Sequence, residues 1–413
     1  MTENTLPLDE PEALERQYRA DPEAFRAELV ALSGTRAGHA IARAWRARLD
    51  LEPSHGEGET ATSRVDWFEV AALALVAGFG IRMMTLLEDD AWVARTAAWI
   101  VFVPVALVLR QRGARSRKAD LGVYGIAIGA LSLGLTIPIG TSSTGDLVLI
   151  HTPLLLWALV GIWAAGDRWR REAFRIDYVL RSGEVLVFTG AILLGGVLLT
   201  ALTVAMFSVI EIEIAPWYYE NVVLVGLAAS PIVAAGLARA REFRGEALAP
   251  QLARIFSPLA LATLGAYALA ILWTGRSPHE DRAALIVLNA MLAAAAALIA
   301  LATLSPQPES RSRWIGSIQA GIAWIAVAVD ALALFSILYR TIEGGWTPNR
   351  VAVLGENLLL FVFLAGVAVH LTRFVTGRGA HDALRRFVAG VLPAFLVWTL
   401  FVIFALPALF GFA

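Results

Sequence analysis

Residues 183–209 read GEVLVFTGAILLGGVLLTALTVAMFSV, and beyond Glu184 the run contains no charged side chain. A helix that crosses a bilayer needs about 20 consecutive apolar residues, which this run supplies. Lipid-spanning barrels are built from alternating segments of about ten residues, so a continuous run excludes strands. Working outward, similar runs recur from Asp66 onward, separated by short charged connections. Eleven windows are expected to span: 67–87, 92–110, 120–139, 147–166, 183–209, 219–239, 254–274, 284–304, 314–338, 350–371 and 387–409. The expected fold is an all-α, polytopic membrane helix bundle of about 11 transmembrane helices over residues 65–413.

Composition agrees. The 413 residues are 58% hydrophobic and 17% charged, whereas soluble domains average about 45–50% apolar and about 25% charged. A net charge of −1 excludes a protein built mainly to bind nucleic acid. With no cysteine, disulfides, thiolate metal sites, iron–sulfur clusters and cysteine nucleophiles are excluded. Lys118 is the only lysine and falls in a connection, which excludes a Schiff-base lysine within a span.

Residues 1–64 are polar, with 8 basic and 12 acidic side chains, and read as a small cytosolic helical region with a linker. Asp21 is expected to cap a helix whose first residue is Pro22, with Gly34 stopping the segment. Ile41, Trp45 and Leu49 make an apolar stripe beside Arg43, Arg46 and Arg48. That helix either packs within the head or lies in the membrane interface. Leu51–Arg64 has the composition of a flexible tether. Met1–Glu12 lacks an apolar core, so a cleaved signal peptide is not expected.

Orientation follows from the arginines. Connections 110–119, 167–182, 238–254, 305–313 and 371–387 hold twenty basic residues, and those on the other side hold four: Arg276, Arg282, Arg340 and Arg350. Short loops rich in Lys and Arg stay cytoplasmic. The N-terminus is therefore expected in the cytoplasm, the C-terminus outside, and the location in a bacterial inner membrane.

An ionisable group inside a span costs about 2.5–3.5 kcal/mol on insertion scales, so each asks for a reason. Arg82, Arg95, His151, Asn289, Asp330 and Glu356 are all expected in the outer half of the bilayer, roughly 5–12 Å below its surface. Glu69, Glu184 and His370 lie near enough to the cytoplasmic ends to snorkel. Two readings stay open: Arg82 and Arg95 snorkel outward or form ion pairs with Asp330 and Glu356, or the polar groups line a cavity open to the outside. Asn349, seven residues before Glu356, shares its helix face.

The connection YRTIEGGWTPNR, residues 339–350, is the most distinctive stretch. Gly344 and Gly345 permit a tight reversal, and Thr347–Pro348 reads as an N-cap followed by a first helical residue. The helix start attracts anions, so Arg350 in its first turn calls for a partner: Glu343, Glu356 or a ligand. Trp346 fits an interfacial belt. The motif Gly345-Trp346-Thr347-Pro348-Asn349-Arg350, with the hydropathy of residues 66–413, resembles an uncharacterised bacterial multi-pass membrane family, domain of unknown function 4153. Trp346 departs from the smaller aliphatic residue expected there. The resemblance implies an inner-membrane location and contributes no activity.

The chain has no Walker-A loop, no H-E-x-x-H, no G-x-S-x-G and no histidine cluster at ligand spacing. Glu88, Asp89, Asp90, Glu211 and Glu213, and His279-Glu280-Asp281, read as solvated loop ends, and neither metal nor cofactor is expected. The leading expectation is a transporter-like protein, leaning away from an enzyme. It would handle a small polar or amphiphilic molecule at a polar site of Arg82, Asp330, Arg350 and Glu356, with Arg95, His151, Asn289, Trp346 and Asn349 around it. Its partners would be membrane lipids and a small-molecule or lipid-like ligand, with no nucleic acid. The rivals are a membrane enzyme on lipid-linked substrates at the outer leaflet, and a scaffold or sensor whose residues 1–64 meet a cytosolic partner.

Overall fold

The computed structural model describes residues 6, 11–30, 41–42, 44–45, 65–87, 89–110, 117–209, 211–242, 256–258, single positions between 260 and 273, 282–304 and 309–412. They form two compact units, Met1–Arg64 and Val65–Ala413.

In the first unit, α1 (Pro11–Ala20) and α2 (Pro22–Val30) are joined at Asp21. The Asp21 carboxylate accepts from the backbone N–H of Glu23 and Ala24, which satisfies the free donors of the first turn. Tyr18, Phe25 and Trp45 pack with ring centroids 5.0–5.6 Å apart over Leu6, Leu14 and Leu29. Trp45 thus belongs to the core of its own unit. Gly34, Leu49 and the Leu51–Arg64 tether lie outside the described residues.

Every regular element described in the second unit is a helix: α3 (Trp67–Thr85), α4 (Asp90–Leu109), α5 (Arg117–Thr136), α6 (Ser143–Ala165), α7 (Glu172–Val209), α8 (Ala215–Ala240), α9 (Arg282–Leu304), α10 (Glu309–Gly344), α11 (Pro348–Val375) and α12 (His381–Leu409). Eight of them, not eleven, are long and apolar enough to cross a membrane: α3, α4, α6, α7, α8, α10, α11 and α12. In α5 the apolar part is only Asp120–Thr136, about 25 Å long. The helix stops at Thr136, with Pro138 and Gly140 (φ +73°) just beyond, three residues before the expected window closes. Over Leu288–Leu304, α9 is apolar apart from Asn289 and Thr303. Most of window 254–274 lies outside the described residues.

Caps fix several starts. Asp66, Asp89, Ser142 and Thr347 each accept backbone N–H groups of the helix that follows. Asp89, expected as a solvated loop end, is the cap of α4. The most buried long span is α6. It packs on α4, α5, α11 and α12, and so joins a core of α3, α4 and α8 to one of α9–α12. Opposite in character, α7 exposes Leu186, Leu194, Val197, Leu199, Leu202 and Met206. Four exposed tryptophans, Trp67, Trp92, Trp217 and Trp346, sit at helix ends, where amphipathic rings suit a headgroup layer.

Cross-helix contacts sort the helix ends into two groups. At one end Arg82 of α3 meets Glu220 of α8, Arg95 of α4 meets Gly134 of α5, and Ser142 before α6 meets Phe412 after α12. At the other end Arg239 of α8 reaches the Val108 carbonyl of α4, and Arg175 of α7 reaches the Ala389 carbonyl of α12.

Candidate functional site

Asp330 lies on α10, fourteen residues from each end of the span Gly316–Gly344. It is 0% exposed, and neither carboxyl oxygen has a hydrogen-bond partner among the described residues. Its setting is apolar: Ala326, Val329 and Ala333 on its own helix join Leu364, Val367 and Ala368 of α11 in one core cluster. The sequence put Asp330 nearer the outer surface because the expected span stopped at residue 338. The helix continues to Gly344 and moves Asp330 to the middle.

Glu356 of α11 is held by His151 of α6, whose Nε2 meets Glu356 Oε1. Nδ1 of the same imidazole lies 2.8 Å from the Leu147 carbonyl. His151 is buried, and the Glu356 side chain is 43% exposed. The close approach of α12 here depends on Gly355, where a Cβ would lie 2.0 Å from the Trp398 ring.

These two features do not share a level. The hydrogen bond from Trp324 Nε1 to Thr372 Oγ1 (3.0 Å) sets the antiparallel register of α10 and α11. Asp330 is then level with Gly366 and Glu356 with Arg340, a separation of about 15 Å along the axis.

The arginines are engaged elsewhere. Arg82 donates to Asn221 Oδ1 (3.0 Å), Thr85 Oγ1 (3.2 Å) and Glu220 Oε2 (3.1 Å). Arg95 donates to the Gly134 carbonyl. Of the alternatives left open, pairing of Arg82 and Arg95 with Asp330 and Glu356 is not what the described residues show: both arginines take local partners at the helix ends. Arg350 curls back over Gly344 and donates to the Gly345 carbonyl at 2.6 Å. Its backbone N–H is capped by Thr347 Oγ1 at 3.3 Å, and among the described residues no carboxylate lies within ion-pair distance of it. Glu343 instead accepts from Tyr339. Trp346 is exposed and Asn349 partly buried beside this turn.

Asn289 Oδ1 on α9, Asn357 Oδ1 on α11 and Gln319 Nε2 on α10 are further buried polar atoms with no partner among the described residues. The sequence reading named Asn289 but missed Asn357 and Gln319. It also missed Glu220 and Asn221, although both stand inside the expected sixth window as polar residues that need a reason. A second missed feature is an apolar cleft between α6, α7 and α12, lined by Trp157, Trp169, Phe174, Tyr178 and Pro393, with Arg175 at its edge. Tyr178 closes it by donating to the Trp157 carbonyl at 2.5 Å. Among the described residues no three His, Asp or Glu side chains gather as a metal site, and His279-Glu280-Asp281 lies outside them.

Helix length, composition and exposed apolar surface define a multi-pass α-helical membrane protein. Searches of protein-family models, of characterised proteins and of solved structures each return no match to the chain.

Proposed function

We propose that the chain is a transporter-like protein of a bacterial inner membrane that handles a small polar or amphiphilic molecule. The observation that carries this reading is Asp330, a fully buried carboxyl group at mid-span with no partner among the described residues. An ionised carboxylate there is costly, whereas a group that alternately takes and gives up a proton has a reason to be there. Arg350, with no carboxylate partner among the described residues at the start of α11, would attract an anionic part of the substrate. Arg82 holds α3 to α8, and Glu356 ties α11 to α6. The resemblance of residues 345–350 to domain of unknown function 4153 agrees with the location and adds no activity.

The proposed orientation puts the N-terminus and residues 1–64 in the cytoplasm and the C-terminus outside, supported by the twenty-to-four sorting of basic residues. Membrane lipids are the proposed surroundings of the exposed flanks.

The test is proton flux. Purified protein in vesicles loaded with a pH-sensitive dye is challenged with organic anions, amino acids and short-chain amphiphiles under an imposed pH gradient. The expected result is compound-dependent proton movement that Asp330→Asn abolishes. Flux of equal size in Asp330→Asn, or none with any compound, sinks the reading.

A second reading, an enzyme acting on lipid-linked substrates, is favoured by the partial exposure of Glu356 on the flank of the bundle. It requires lipid turnover that is lost in Glu356→Gln and kept in Asp330→Asn.

A further inference from the structure

We infer that His151 and Glu356 form a proton-binding site that holds one exchangeable proton between α6 and α11. This deepens the transport reading by giving the bundle a second proton station, about 15 Å along the helix axis from Asp330. The argument rests on hydrogen-bond accounting. A backbone carbonyl can only accept, so the His151 Nδ1 that faces the Leu147 carbonyl at 2.8 Å must carry a hydrogen. A neutral imidazole with its proton on Nδ1 has a bare lone pair on Nε2. That lone pair faces Glu356 Oε1, and an ionised carboxylate is also acceptor-only. Two acceptors do not hold a hydrogen-bonding contact, so one more proton lies between them. It sits either on Nε2, as an imidazolium against a carboxylate, or on Oε1, as a carboxylic acid donating to the imidazole. In both forms the pair has net charge zero. Releasing the proton leaves neutral imidazole plus carboxylate, with net charge −1 and opposed lone pairs.

Burial fixes the histidine half of the pair: His151 is 3% exposed and cannot turn Nε2 to water without leaving its helix contact. The glutamate half is 43% exposed and lies eight residues, about 12 Å, from the start of α11, the end of that helix nearest to it. On α11 the nearest charged group is Arg350, six residues away; on α10, Arg340 is level with Glu356, with Tyr339 and Glu343 beside it, Asp330 about 15 Å away, and Glu309, Arg311 and Arg313 at the far end of the helix. On α7, Glu184 is near the level of Leu155, one turn below His151, by the register of the Trp157–Ser182 hydrogen bond. On α4 Arg95 is bonded to Gly134, and on α6 Asp146 is bonded to the Gly140 N–H. Neither α5 beyond Asp120 nor α12 beyond Arg386 carries a charged side chain.

The test counts the proton on full-length protein in nanodiscs and needs no substrate, so its failure is distinct from a failure of the flux assay. Ring-nitrogen NMR on histidine-labelled protein reports the charge of His151, assigned by its loss in His151→Gln. The infrared carboxylic-acid stretch reports Glu356, assigned by its loss in Glu356→Gln. At neutral pH the expected result is one of the two signatures, an imidazolium at His151 or an acid at Glu356, disappearing in alkaline buffer. In Glu356→Gln the amide donates to Nε2, so His151 is expected neutral, Nδ1-protonated and insensitive to pH. A neutral His151 beside an ionised Glu356 at neutral pH in the unsubstituted protein overturns the inference. So does a His151 titration that is unchanged in Glu356→Gln.

Discussion

Asp330→Asn keeps the side chain's shape while removing the possibility of a buried charge. Thermal unfolding in nanodiscs is expected to show an unfolding temperature equal to or above that of the unsubstituted protein, because no ion pair is broken. A clear drop would mean that Asp330 has a structural partner. Arg82→Leu is expected to behave oppositely, since three hydrogen bonds are lost and Glu220 keeps an unanswered charge. A loss of about 1–3 kcal/mol is expected in denaturant titration, reduced but not abolished when Glu220→Gln is already present, because the bonds to Asn221 and Thr85 are still lost. Glu211, with φ +59° after the end of α7, occupies a conformation that favours glycine. Glu211→Gly is expected to raise stability by about 0.5–1 kcal/mol in the same titration. Each of these residues is visible in the sequence as a charge in or beside an apolar run. Their partners are not, because Arg82 and Glu220, or His151 and Glu356, are distant in the chain and periodicity says nothing about which helices touch.

Helix identity was readable, and helix ends were readable only where a cap or breaker marks them. Thr347–Pro348 opens α11 by the side-chain bond its residue types imply, and Asp66 and Asp21 do the same for their helices. Where no breaker stood, as at residue 338, the expected end fell six residues short of Gly344 and Asp330 was misplaced in depth. Hydropathy also overcounted spans: α5 is apolar throughout its middle yet ends at Thr136, before Pro138 and Gly140, short of the window 120–139. Close approach is the other element-level property hidden from pattern reading. At Gly145 a Cβ would lie 1.7 Å from the Pro138 carbonyl oxygen, so the α5–α6 turn closes only over a glycine. Gly145→Ala is expected to displace that turn and lower stability by about 1–3 kcal/mol, read as a loss of the protected fraction in limited proteolysis.

For the whole molecule, membrane residence follows from mean composition and needs no pairing information, which is why it is the most legible property. Orientation is the prediction that belongs here: a reporter that fluoresces only in the cytoplasm is expected to be dark when fused after Ala413 and bright when fused before Met1. The reverse pattern would overturn the charge-sorting argument. Arrangement within the bundle was least legible, since α6 becomes the central helix through contacts on several sides, and its sequence is no more apolar than its neighbours require.

The exposed helix α7 carries a consequence for how the protein must be handled. At 38 residues it is about 57 Å long, well beyond a hydrocarbon core of about 30 Å. One side of its apolar stretch packs on α8, and none of the residues there is fully buried. Acyl chains are the expected cover of the exposed side, and their length sets how steeply this rod leans or how far it protrudes. Lipid species becomes a variable of the fold in the way that salt is for a surface ion pair. The unfolding temperature is expected to shift between short- and long-chain bilayers, and to fall when detergent replaces both.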